Sequence, residues 1–133
     1  MNTQAERRQC ERFLFYSESN VKAKLNLFDD DDVSIVADVT NLSEEGMGLS
    51  FGNTLPVSLC EGDWIMLKGI EGLPELKFLA GLEMKLRWIM NYSPSRGTRF
   101  GCLFANIFPA AKEQIRQFIH TRIDQKLNDT KKL

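Results

Sequence analysis

The sequence predicts an all-β domain finished by a C-terminal helix, with six strands forming an antiparallel barrel. Three observations carry this reading. Apolar and polar residues alternate over short segments, turn signals separate those segments, and an apolar stripe at helical spacing occurs near the end. Closure into a barrel would remove the exposed edges that invite aggregation.

The elements follow in order. Residues 1–20 are polar and carry the basic cluster Arg7, Arg8 and Arg12. Apart from Phe13, Leu14, Phe15 and Tyr16, little there can anchor a fold, so 1–20 reads as a flexible arm leading into a domain over 21–127. Val21 to Phe28 alternates, with Val21, Ala23, Leu25 and Leu27 on one parity, which marks a half-buried strand. The four acids Asp29 to Asp32 belong in a solvated turn. Val33 to Thr40 alternates again, Asn41 to Gly46 is turn-like, and Met47 to Phe51 resumes a strand. Asp63 to Lys68 is the next strand, and Gly69, Gly72 and Pro74 mark a turn. Leu76 to Met90 reads as one long strand bent at Gly81. On it Leu82, Met84, Leu86 and Trp88 share a face, which assigns Trp88 to the core with an edge free to line a pocket. Asn91 to Gly97 is a loop and Thr98 to Phe104 the last strand. Pro109 opens a helix, where its missing N–H costs nothing. Ile115, Phe118, Ile119, Arg122 and Ile123 form its docking stripe, and 128–133 reads as a frayed tail.

Composition narrows the function. The chain has 133 residues, 43% of them hydrophobic, which suits one domain with its own core. Its net charge is −1, so it lacks the global basic bias of a polyanion binder, and a nucleic acid polymer is not an expected partner. Cys10, Cys60 and Cys102 are far apart and odd in number, and no Cys/His spacing suits zinc. They read as reduced thiols in a cytoplasmic protein. No apolar run reaches membrane-spanning length, so no membrane insertion is expected. Catalysis is not expected either. The one histidine, His120, lies on the C-terminal helix, and Ser43 has no nucleophile elbow around it. Glu44, Glu45 and Glu61 give no reason for an acid–base pair. No metal or cofactor is expected.

Two segments stand out: Arg7-Arg8-Gln9-Cys10-Glu11-Arg12 and Asn41-Leu42-Ser43-Glu44-Glu45-Gly46. Guanidinium groups match phosphate oxygens, or the O6 and N7 of guanine, two at a time. Asn41 and Ser43 are two apart, so an extended backbone would aim them the same way. Gly46 would permit positive φ where the chain reverses and let a ligand approach the backbone. Alone, the first segment is most simply a pair of solvated arginines and the second a connecting turn.

Together they resemble the PilZ domain family, whose signatures are R-x-x-x-R and [D/N]-x-S-x-x-G. Here these are Arg8-x-x-x-Arg12 and Asn41-x-Ser43-x-x-Gly46. Val36-Ala37-Asp38-Val39, Gly46-Met47-Gly48-Leu49, Arg87-Trp88 and Phe100-Gly101-Cys102-Leu103-Phe104 resemble further strands of that family, over about residues 7–125. The resemblance implies a PilZ-like barrel that binds cyclic di-GMP and passes the signal to an unidentified protein target. Arg8 and Arg12 would contact phosphate and guanine. Asn41, Ser43 and Gly46 would surround the other base, and Trp88 would supply a pocket edge. Arg7 stands where a cation makes a stacked ligand pair plausible. The arm would be mobile without ligand and close over the barrel with it. The competing readings are a PilZ-like adaptor that ignores the nucleotide and a barrel for single-stranded nucleic acid.

Overall fold

A computed structural model describes residues 12–15, 20–27, 33–53, 55–91 and 97–131, with side chains through residue 123. Arg7, Arg8 and the acidic run Asp29 to Asp32 lie outside the described residues. The strands are β1 (Phe13–Leu14), β2 (Lys22–Leu27), β3 (Ser34–Leu42), β4 (Gly46–Phe51), β5 (Trp64–Glu71), β6 (Glu83–Asn91) and β7 (Thr98–Ala105). A 3₁₀ segment (Pro74–Leu79) precedes β6, and α1 (Pro109–Lys131) follows β7. The strands pair antiparallel in the order β3-β2-β5-β6-β7-β4, and β4 returns to β3, which closes a six-stranded barrel. The predicted all-β class, six-stranded barrel and C-terminal helix are the observed architecture.

Alternation built the core as expected. Val21, Ala23, Leu25 and Leu27 point inward at 0–4% exposure, opposite Ile65, Leu67, Met84, Leu86 and Phe100 at 0–1%. Each such side chain contributes about 1.5–3 kcal/mol when fully buried. The helical stripe docks as expected too: Ile115, Phe118 and Ile119 are buried. Phe118 closes one end of the molecule with Phe13 (ring centroids 5.9 Å apart) and Phe15 (6.4 Å).

Four expectations need correction. First, 76–82 is not strand. Pro74 starts a 3₁₀ segment, whose three-residue repeat places Leu76 and Leu79 on one face, both fully buried. The chain leaves it through Gly81, at φ 92°, and β6 begins only at Glu83. Second, β3 runs past Thr40 to Leu42, so Asn41 is a strand residue. Third, part of the expected arm is sheet. β1 adds to the edge of β3 beyond the end of β2, pairing Phe13 with Leu42 and Leu14 with Asn41. The Phe15 amide donates to the Thr40 carbonyl at 2.9 Å. Fourth, helical backbone continues through Lys131 rather than ending near Leu127, since neither Gly nor Pro follows to stop it.

Candidate functional site

Cross-strand register places one line of residues over the outer face of the barrel. Leu14 pairs with Asn41, Asn41 with Gly48, Gly48 with Gly101, and Gly101 with Trp88. Two β-bulges create this line. Between β3 and β4 the register shifts between Val39 and Asn41, so Thr40 is the extra residue. Val39 stays inside and Asn41, which plain alternation would turn inward with it, faces out. Between β6 and β7 the shift falls between Leu86 and Trp88, with Arg87 extra. Leu86 is buried while Trp88 is 41% exposed. A bulge bends its strand and re-aims the next side chain. The parity that assigned Trp88 to the core is therefore broken by one inserted residue. Trp64, on β5, is likewise at the surface, with the Lys85 ammonium 4.7 Å from its ring.

Gly48 and Gly101 are buried beneath the side chains of Asn41 and Trp88, which lie across the sheet over them. A Cβ on Gly48 would lie 2.3 Å from Asn41 Nδ2, and one on Gly101 would lie 2.2 Å from Trp88 Nε1. Only glycine leaves room for these two side chains to lie across the sheet. A cavity of about 250 Å3 opens beside them, bounded by Arg12, Gly46, Gly48, Arg87, Trp88 and Gly101.

Arg12 enters the site because β1 is hydrogen-bonded beside Asn41. Its Nη1 donates to Asn41 Oδ1 at 3.3 Å. Asn41 Nδ2 in turn donates to Thr40 Oγ1 at 3.4 Å. The two sequence motifs therefore touch through their last and first residues.

Ser43 and Gly46 both border the cavity, and their local geometry differs from the expected one. Ser43 lies beyond the end of β3 and is only 4% exposed. Its amide donates to the Gly46 carbonyl at 2.9 Å, and its Oγ accepts from the Glu45 amide at 3.2 Å. It borders the cavity but ties the corner together, and does not project beside Asn41. Gly46 is not among the glycines with positive φ. A Cβ there would lie 2.0 Å from the Cys102 carbonyl oxygen, so glycine is required by the close approach of β4 to β7, not by chain reversal.

The corner is also fastened to α1. Arg116 grips Glu44 in a two-pronged contact, Nε to Oε2 at 3.0 Å and Nη2 to Oε1 at 2.7 Å. That hydrogen-bonded guanidinium holds the Glu44 carboxyl below the usual carboxylate range. The Phe104 amide donates to the Glu45 carbonyl at 2.8 Å. Beneath the corner, burial pushes the Cys102 thiol up to about 12, which keeps it protonated and unreactive at neutral pH.

Among the described residues, no group of three His, Cys, Asp or Glu side chains could hold a metal ion, and no helix is long and apolar enough to cross a membrane. A wider cavity of about 380 Å3 lies between the 3₁₀ segment and α1. Its cation, Arg122, is already bonded to Glu75 and lies over the Phe118 ring, so it offers an anion less than the glycine-lined site does.

Of the residues that the sequence singles out, Arg12, Ser43, Gly46 and Trp88 border the cavity and Asn41 bonds Arg12 beside it; Gly48, Gly101 and Arg87, which no motif marks, border it as well.

The sequence matches no family model and no curated protein. The fold matches solved structures. One is the PilZ domain with c-di-GMP of YcgR from Escherichia coli, at 17% identity and a TM-score of 0.64, covering 96% of this chain and 99% of that one. A second is YcgR from Escherichia coli in complex with c-di-GMP, at 18% identity and a TM-score of 0.70, covering 95% of this chain and 50% of that one. A third is the K. pneumonia MrkH–c-di-GMP complex, at 13% identity and a TM-score of 0.59, covering 95% of this chain and 55% of that one. The chain thus spans nearly all of an isolated PilZ domain and about half of the longer proteins. Its closed barrel and terminal helix are the PilZ-like fold.

Proposed function

We propose that this chain is a bacterial, cytoplasmic member of the PilZ family that binds cyclic di-GMP without catalysis and relays its presence to a protein partner. One observation carries the proposal: the R-x-x-x-R segment delivers Arg12 to Asn41 of the N-x-S-x-x-G segment, at the rim of a glycine-lined cavity walled by Trp88. The ligand offers two guanines and two phosphodiester charges. The Asn41 amide and the Trp88 indole lie over Gly48 and Gly101, and a flat base can stack on the exposed face of that indole. Such stacking contributes about 1–3 kcal/mol per base. Arg12 and Asn41 present a fork and an amide to a guanine edge or a phosphate. Each charge-assisted hydrogen bond contributes about 1.5–3 kcal/mol, so a few of them with one stacked base reach micromolar affinity, about −8 kcal/mol, after ordering costs.

Arg7 and Arg8 complete the cation set in this reading. They belong to an arm that rearranges over the barrel when ligand arrives, with Arg8 contacting phosphate and guanine and Arg7 favouring a stacked ligand pair. Ser43 and Gly46 act by holding the corner in shape, and the sense of the signal is the new position of the arm.

Titration calorimetry tests the function. Cyclic di-GMP should release heat, Arg12→Ala should abolish or weaken it at least tenfold, and an unrelated oligonucleotide should give none. Absence of heat from the wild type would leave a PilZ-like barrel that serves as a nucleotide-independent adaptor. For the arm, amide exchange over residues 1–12 should slow on adding ligand, and equal exchange with and without it would refute the rearrangement.

A further inference from the structure

The wall opposite Arg12 carries a second guanidinium that the motifs do not mark. Arg87 is the inserted residue of the β6 bulge: Leu86 pairs with Cys102 and Trp88 with Gly101, leaving Arg87 without a partner position on β7. It is exposed and borders the same cavity as Arg12. The cations around it are differently placed. Lys85 is held over the Trp64 ring at 4.7 Å, and Arg116 and Arg122 grip Glu44 and Glu75. Among the described residues, Arg87 makes no hydrogen bond, ion pair or ring contact. The charged groups bordering the cavity are Arg12, Arg87 and Glu45, two guanidiniums against one carboxylate.

Geometry gives the two arginines complementary positions. Arg12 bonds Asn41 on β3, and Arg87 stands beside Trp88 on β6. The register from Asn41 through Gly48 and Gly101 to Trp88 crosses three strand intervals. At the usual strand spacing the walls are therefore about 14 Å apart. Arginine side chains leaning in from both walls can meet charges on opposite sides of one ring-shaped anion. A bulge that turned only Trp88 outward would serve a base. This one also presents a cation immediately next to that base.

We propose that Arg87 is a phosphate-binding residue of this site, taking one phosphodiester of the cyclic dinucleotide from the side opposite Arg12. The inference rests on the cyclic di-GMP reading and adds a residue and a pose to it. The guanine stacks on the exposed face of the Trp88 indole, and the phosphate following it turns toward β6.

The test is calorimetry with cyclic di-GMP on wild type, Arg87→Ala and Arg87→Lys, each at low and at high salt, with thermal melts of the ligand-free proteins. Arg87 is exposed and makes no hydrogen bond or ion pair among the described residues, so all three proteins should melt together. Arg87→Ala should bind about tenfold or more weakly, and its affinity should fall less with salt than that of the wild type. Arg87→Lys should keep the wild-type salt dependence and recover part of the affinity, because it keeps the charge and loses the fork. If the wild type binds and Arg87→Ala matches it in affinity and salt dependence, the role of Arg87 is overturned and the receptor reading stands. If Arg87→Ala weakens binding but Arg87→Lys restores nothing, a charge contact is likewise overturned. If the wild type gives no heat, both fall together.

Discussion

Gly46 separates architecture from ligand contact more sharply than any other position. In Gly46→Ala the new methyl would lie 2.0 Å from the Cys102 carbonyl oxygen and 3.1 Å from Leu103 Cα. Both obstacles are backbone atoms of β7, so no rotamer change relieves them. β4 must move away from β7 where Gly46 pairs with Leu103. Overpacking of this kind costs about 1–3 kcal/mol. Each ladder hydrogen bond weakened by the displacement adds about 0.5–1.5 kcal/mol. The sum, about 2–5 kcal/mol, is a large part of the stability of an ordinary domain, about 5–15 kcal/mol. At about 3–5 °C per kcal/mol for a chain of this size, the thermal midpoint should fall by about 6–25 °C. The assay is a circular-dichroism melt of the ligand-free protein. Gly101→Ala is the matched control. Its methyl meets the Trp88 indole at 2.2 Å, and that side chain is 41% exposed and free to swing. It should melt within a few degrees of wild type while binding cyclic di-GMP at least tenfold more weakly. A Gly46→Ala protein with the wild-type midpoint and weakened binding would refute the reasoning, because glycine would then be serving the ligand.

Three further outcomes follow from the same contacts. Trp88→Ala should weaken binding by about 1–3 kcal/mol with little change in the melt, and in the wild type the ligand should alter Trp88 fluorescence. The Glu44 carboxyl is held below its ordinary value of 4.5 chiefly by Arg116, so the pair stabilises the fold above that pH and the contribution is lost as pH falls through the lowered value. Arg116→Ala should therefore cost about 0.5–1 kcal/mol at neutral pH and nothing at strongly acid pH, checked by melts across that range. Alkylation mapped by mass spectrometry should modify exposed Cys60 in the folded protein and reach Cys102, whose thiol burial pushes to about 12, only after denaturation.

Much of the barrel was legible because period-two alternation reports directly on burial. Val21 to Leu27, Ile35 to Val39 and Met84 to Leu86 read correctly for that reason. Leu76 to Leu79 misled because Pro74 opens a helical turn whose repeat of three can be mistaken for alternation in so short a stretch. The site resisted the same reasoning for another cause. Its walls, Asn41 and Trp88, are aimed by inserted residues at Thr40 and Arg87. An insertion changes parity without changing the composition of the strand, so single-sequence patterning assigns Trp88 to the wrong face. Ser43 is marked by its motif, but its bond to the Glu45 amide was not legible, because β3 ends one residue before it and the side chain closes the turn. Gly46 was misassigned because the carbonyl it must avoid belongs to a strand far away in sequence. Arg12 was legible as a cation, and its meeting with Asn41 depended on the two-residue strand β1, too short to be recognised by pattern.

The account depends on a ligand seated beside Arg12 and on the Trp88 indole, where Asn41 and Trp88 lie across Gly48 and Gly101. Backbone amide and indole NMR resonances recorded during a cyclic di-GMP titration examine that seat atom by atom. The largest shifts should fall on the Gly48 and Gly101 amides, the Asn41 side-chain amide and the Trp88 indole N–H. Shifts concentrated instead around Glu75, Phe78 and Phe118, with those four signals unmoved at saturation, would contradict it.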